Sequence, residues 1–150
     1  MEGCLACDLA EGRLPLPGGR IAETAHWLVD HAVGPLGVGT LIVRPKRHVL
    51  HVWQLNEAET VESGPFFRWV ARALAAVAEP EQIYMTLWSH ADATPGHIHW
   101  VFQPVTTELS LSPTTSQATV RSRRQTCCTQ ALVKRYLTVR FPRSSRPALA

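Results

Sequence analysis

The run Pro95-Gly96-His97-Ile98-His99-Trp100-Val101-Phe102-Gln103-Pro104 sets two imidazoles into an otherwise apolar stretch. In an extended strand alternate residues share a face, so His97, His99 and Val101 point one way. Ile98, Trp100 and Phe102 point the other way and form a large apolar face for burial. The imidazoles then stand about 6–7 Å apart, just after a Pro-Gly turn whose backbone N–H groups can converge. Such a place can receive an anion and attack it. A neutral imidazole is a good nucleophile near pH 7, and splitting one displacement into two lowers each barrier. The plain alternative is a strand that exposes two polar residues.

A second group of residues has metal chemistry. Cys4-Leu5-Ala6-Cys7 supplies two thiolates at zinc-knuckle spacing. His48, which closes Arg44-Pro45-Lys46-Arg47-His48, and His97 would complete a Cys2His2 set with Cys4 and Cys7. That set is a closed, tetrahedral, structural zinc site, which pins the N-terminus to the sheet and lowers the pKa of both thiols. A thioredoxin-like redox pair is the rival reading, but it expects a strand before it, and only three residues precede Cys4. Two idle or buried cysteines are the third reading.

The elements that must position these groups read as α+β. Arg20–Thr24, His26–His31 and Thr40–Pro45 have strand character, the last introduced by Gly37 and Gly39. Asn56 with Glu59 is a capping-box signal for a helix starting near Glu57. Phe66, Phe67, Val70, Leu74 and Val77 recur at helical spacing and are expected to face a sheet, with Pro65 kinking that helix or starting a second. Glu81–Ser89 and His97–Gln103 supply two further strands. The order predicts a mostly antiparallel sheet of about five strands covered by one long helix. Tyr84, Trp88 and Trp100 alternate with core positions and read as packing.

With 150 residues, the chain has room for one domain with a real core. Residues 1–108 carry a net charge of −5 and residues 109–150 a net charge of +8, with no acid at all in the second segment. That predicts a domain over 1–108 and a basic, Ser/Thr/Arg-rich extension over 109–150, irregular and solvated. Met1-Glu2-Gly3-Cys4 lacks the basic and apolar regions of a signal peptide, and no run reaches the roughly 18 apolar residues of a membrane span. The expected location is cytoplasmic, where cysteines favour metal or free thiols over disulfides.

Taken in order, Cys-x-x-Cys, Gly18-Gly19-Arg20-Ile21-Ala22-Glu23-Thr24, Gly37 through His48 and His97 through Pro104 resemble the histidine triad (HIT) superfamily. The likeness covers about residues 3–108 and is greatest to the zinc-carrying prokaryotic members. It implies an antiparallel sheet with a long helix, a homodimer joined through that helix and the sheet edge, and a nucleotide or dinucleotide substrate. It also implies that His99, in the second histidine position, attacks the α-phosphate of a nucleotide conjugate to give a nucleotidyl-histidine. His97 matches the histidine that zinc-bearing relatives use as a ligand. Thr94 matches a hydroxyl or amide held against phosphate, and Asp30 a polar group that holds the ribose. Gly96 can bring its N–H close to an anion. Arg44, Lys46 and Arg47 could steer a polyphosphate or form a solvated basic corner, and His90 could line the pocket rim.

Val101 departs from the pattern, because the third histidine position normally helps bridge or protonate the leaving group. Valine does neither, which favours leaving groups that are already acidic. The expected function is a nucleotide hydrolase or nucleotidyltransferase of the dinucleoside polyphosphate type. A catalytically lapsed module that binds zinc and nucleotide is the alternative. A small nucleic-acid binder using the basic extension is more distant, because residues 1–108 are acidic overall.

Overall fold

In a computed structural model of the chain, the described residues are 3–106 apart from 17, 34, 35, 37, 38, 92 and 93. For 90, 91, 94 and 95 the description is confined to the backbone. The basic extension over 109–150 and the glycine at 37 therefore lie outside the described residues.

One antiparallel sheet organises the molecule. It comprises β1 (Ala22–Glu23), β2 (Trp27–His31), β3 (Leu41–Pro45), β4 (Gln82–Ala91) and β5 (Thr94–Val105), in the order β1-β2-β3-β5-β4. Among the described residues two α-helices accompany it, a short α1 (Leu5–Ala10) and a long α2 (Glu57–Ala78). This is the α+β arrangement expected from the sequence.

Strand alternation separates the two faces. Val43 pairs with Trp100 and Leu41 with Phe102, and these join Trp27 and Val29 on the face beneath α2. Phe66, Val70, Ala73 and Leu74 of α2 close the core from above, and Phe67 packs edge-on against Trp27 and Phe102. The opposite face holds Leu28, Asp30, Ile42 and Arg44, with His97, His99, Val101 and Gln103 of β5.

The start of α2 follows its sequence signal. Asn56 Oδ1 accepts from Glu59 N at 2.9 Å and Glu59 Oε2 accepts from Asn56 N at 2.9 Å. Burial alone would push the Glu59 carboxyl up, but Arg47 and the Asn56 N–H outweigh it and hold it low.

Pro65 neither splits nor ends α2, which continues through it to Ala78. The buried row from Phe66 to Leu74 holds the helix together despite the missing N–H. Since Pro65 is exposed, Pro65→Ala is expected to stabilise the fold by about 2 kcal/mol. A rise in the urea midpoint at unchanged slope checks this, and a fall would show that the ring packs usefully.

The Pro95-Gly96 pair was expected to form a turn but lies inside β5, which starts at Thr94 paired with Ala91. A register shift between Trp88 and His90 accompanies the proline, which has no N–H for a regular ladder. The helix over Leu5–Ala10 and the 3₁₀ turn over Val52–Gln54 had no counterpart in the sequence reading. Both are too short to show an amphipathic period.

Candidate metal centre and histidine face

Cys4 precedes α1 as its N-cap and Cys7 lies in the first turn, so three residues of separation bring both thiols to one side. His48 sits in the loop after β3, and Val49 in that loop accepts from Ile98 N of β5 at 2.8 Å. This backbone bond ties the His48 loop to the strand that carries His97. The His48 and His97 rings meet edge to face at 5.2 Å. Ligand atoms of Cys4, Cys7, His48 and His97 all lie within 4.8 Å of one another.

The donor set fits a tetrahedral metal ion. Cys7 Sγ stands 3.2 Å from His48 Nδ1 and 3.6 Å from His97 Nδ1. Bond lengths of about 2.3 Å to sulfur and 2.0–2.1 Å to nitrogen put tetrahedral neighbours about 3.3–3.8 Å apart. His97 Nε2–H donates to the Pro45 carbonyl at 3.0 Å. A carbonyl only accepts, so the proton sits on Nε2 and Nδ1 turns its lone pair toward Cys7. Burial, with His48 and Arg44 nearby, lowers the His97 pKa to about 4 and keeps the ring neutral. Burial and the Cys4 thiol push the Cys7 thiol up, a penalty that a bound cation reverses.

His99 follows two residues along β5 on the same face, half-buried. Its Nδ1–H donates to the His97 carbonyl at 3.0 Å. By the same logic Nε2 is left unprotonated, and among the described residues no hydrogen bond engages its lone pair. His97 and His99 thus show opposite tautomers, each set by a backbone carbonyl. One turns Nδ1 to the thiols, and the other offers Nε2.

The remaining expected site residues are placed as follows. Gly96 lies in β5 next to His97, while Thr94 is described only as backbone, opposite Ala91. His90 pairs with Pro95, and its side chain is outside the description. Asp30 is fully buried on β2, with Oδ2 at 2.6 Å from Arg44 Nη2 and Oδ1 at 3.5 Å from Arg20 Nε. Arg20 also donates to the Ala10 carbonyl at 3.0 Å, linking this pair to the end of α1. Asp30 therefore stands as counter-ion to a buried guanidinium, and no part of it faces solvent here.

The basic corner is also engaged internally. Arg47 makes two contacts to Glu59, at 3.0 and 2.8 Å, and Lys46 lies 3.6 Å from Glu23. Trp100 packs in the core as expected. Tyr84 and Trp88 do not, at 58% and 46% exposed. Among the described residues no helix covers this face of edge strand β4, and alternation alone does not say which face of an edge strand is covered.

No family sequence model and no curated protein sequence matches the chain. Solved structures do. A zinc-bound histidine triad family protein from Mycobacterium smegmatis superposes with a TM-score of 0.68 at 18% identity, covering 91% of this chain and 94% of that one. A hypothetical histidine triad nucleotide-binding protein from Sulfolobus tokodaii gives 0.70 at 13% identity, over 90% and 92%. A uridylyltransferase gives 0.68 at 18% identity over 90% of this chain, which spans only 45% of that enzyme. The protein has the histidine triad fold. Among the described residues, no helix is long and apolar enough to cross a membrane.

Proposed function

We propose that the protein is a nucleotide hydrolase or nucleotidyltransferase acting at the α-phosphate of a nucleotide conjugate, with His99 as nucleophile. The observation that carries this reading is the His99 ring itself, whose Nδ1–H donates to the His97 carbonyl while Nε2 has no hydrogen-bond partner among the described residues. The histidine triad fold of nucleotide-binding and uridylyltransferase structures supports it.

In the first half-reaction the Nε2 lone pair forms a bond to phosphorus, and the bond from phosphorus to the leaving group breaks with its electron pair. The proton stays on Nδ1 and keeps donating to the His97 carbonyl, which stabilises the cationic ring of the nucleotidyl-histidine. Water or another acceptor then attacks phosphorus, gives its proton to solvent and returns the electron pair to Nε2. Gly96 N–H and the Thr94 hydroxyl are proposed phosphate contacts. Zinc held by Cys4, Cys7, His48 and His97 would organise this face; four protein ligands leave no open position for activating water.

Val101 is 2% exposed beside His99 and offers no proton. Pyrophosphate-type leaving groups need little protonation, whereas amines need more. A dinucleoside polyphosphate is therefore expected to turn over at least about tenfold faster than a nucleoside phosphoramidate, measured as nucleoside monophosphate release. Faster phosphoramidate turnover would refute this account of Val101. Val101 also favours the second reading, a module that binds zinc and nucleotide without turnover. Binding without any product would select it.

A homodimer is part of the same proposal. Met85 and Leu87 of β4, opposite Phe102 and Trp100 on the α2 side of the sheet, are still 49% and 42% exposed. An exposed apolar edge strand is suited to a second copy. Light scattering at twice the chain mass is the expected result. A cytoplasmic location remains part of this proposal.

A further inference from the structure

Trp88 stands directly across from His99 in the β4–β5 register, with ring centroids 6.1 Å apart and planes tilted by 55°. Its Nε1–H donates to Thr86 Oγ1 at 3.1 Å, within its own strand. The indole is therefore held in place without being buried, and much of its ring faces water. A large amphipathic ring whose one polar atom is already satisfied has only its apolar surface left to offer.

The surroundings of His99 are one-sided. On one flank of β5, β3 presents Ile42 opposite Val101 and the buried Arg44. On the other flank, β4 presents Tyr84, Thr86 and Trp88 on the same face, opposite Gln103, Val101 and His99. These three side chains carry no formal charge, and both aromatics are exposed. The floor beside the nucleophile that Tyr84, Thr86 and Trp88 form is aromatic and uncharged.

We propose that Trp88 is a stacking platform for a flat heteroaromatic ring of the substrate. The inference rests on the nucleotide reading above and narrows its substrate class. The preferred conjugate is anchored by a base beside the reacting phosphate. Stacking tolerates any base because each has a π-face, so Trp88 selects for a ring and not for its identity. The ring is either the base of the transferred nucleotide or a second base on the leaving group. The contact chemistry is the same.

The test compares Trp88→Leu and Trp88→Phe with wild type, using a nucleoside triphosphate and a dinucleoside triphosphate. Both variants should fold, because the side chain lies half-exposed on an edge strand. Trp88→Leu is expected to raise KM about tenfold with kcat little changed, and Trp88→Phe to restore most of the loss. A loss with both substrates assigns the ring to the transferred nucleotide, and a loss with the dinucleoside compound alone assigns it to the leaving group. Unchanged KM in Trp88→Leu, or equal loss in both variants, would overturn the platform. Where wild type binds without turnover, Kd for a nucleoside monophosphate replaces KM in each arm. A wild-type protein that binds no nucleoside monophosphate would instead overturn the nucleotide reading, and the platform with it.

Discussion

Replacing His99 with alanine is expected to lower turnover of a dinucleoside polyphosphate by about 10⁴-fold or more, as loss of a covalent nucleophile does. His97, two residues away on the same face, cannot take over. Its Nε2 proton is committed to the Pro45 carbonyl, and its Nδ1 faces Cys7. His99 is half-buried and makes one ring hydrogen bond, so the variant should keep its fold and most of its ground-state affinity for nucleotide. A drop in kcat at nearly constant Kd is the pattern that separates lost chemistry from lost structure. Steady-state assays with parallel binding measurements check it, and more than a tenth of wild-type turnover in the variant would remove His99 from the role.

Metal removal is expected to have the second largest effect. Purified protein should carry one zinc per chain, and Cys7→Ala should carry none. At free zinc a thousandfold above Kd, binding to the folded state alone stabilises by about 4 kcal/mol. The loss should be felt first at α1, whose six residues have little helical stability of their own. What then holds α1 is modest, mainly Arg20 on the Ala10 carbonyl and the burial of Cys7 and Leu9. The effect should spread along β5, because His97, which the metal would anchor, also supplies the carbonyl for His99. Denaturant unfolding with and without a chelator, beside metal analysis, checks both parts. Equal stability with and without chelator would mean that the four side chains hold no structural ion.

Much of this site was legible because its chemistry follows strand period. Alternation along 97–103 alone separates His97, His99 and Val101 from the core-facing Ile98, Trp100 and Phe102. The Asn56 and Glu59 pair marks the start of α2 for a local reason that no tertiary contact needs to supply. The tautomers were not legible in the same detail. They depend on Pro45 O and His97 O, main-chain atoms that any residue type would provide.

Charge was the harder reading. From sequence, Asp30 is given to a ribose and Arg44 to a polyphosphate or a solvated corner, yet β2 and β3 bury them together as an ion pair. Their pairing depends on strand order and on the Arg20 segment beside them, and neither is a local property. Trp88 was misjudged for a related reason. An aromatic at an alternating strand position is core in a central strand but exposed on an edge one, and only the order β3-β5-β4 makes β4 the edge.

The most direct test of the account is to trap the covalent intermediate. Wild-type protein and His99→Ala would be mixed with a dinucleoside polyphosphate, quenched within milliseconds to seconds, and followed by intact mass and peptide mapping. The account predicts a nucleotidyl adduct on the His99 peptide that forms and decays in wild type and is absent from the variant. Nucleoside monophosphate formed at full rate with no adduct, or with the adduct on another residue, would contradict it.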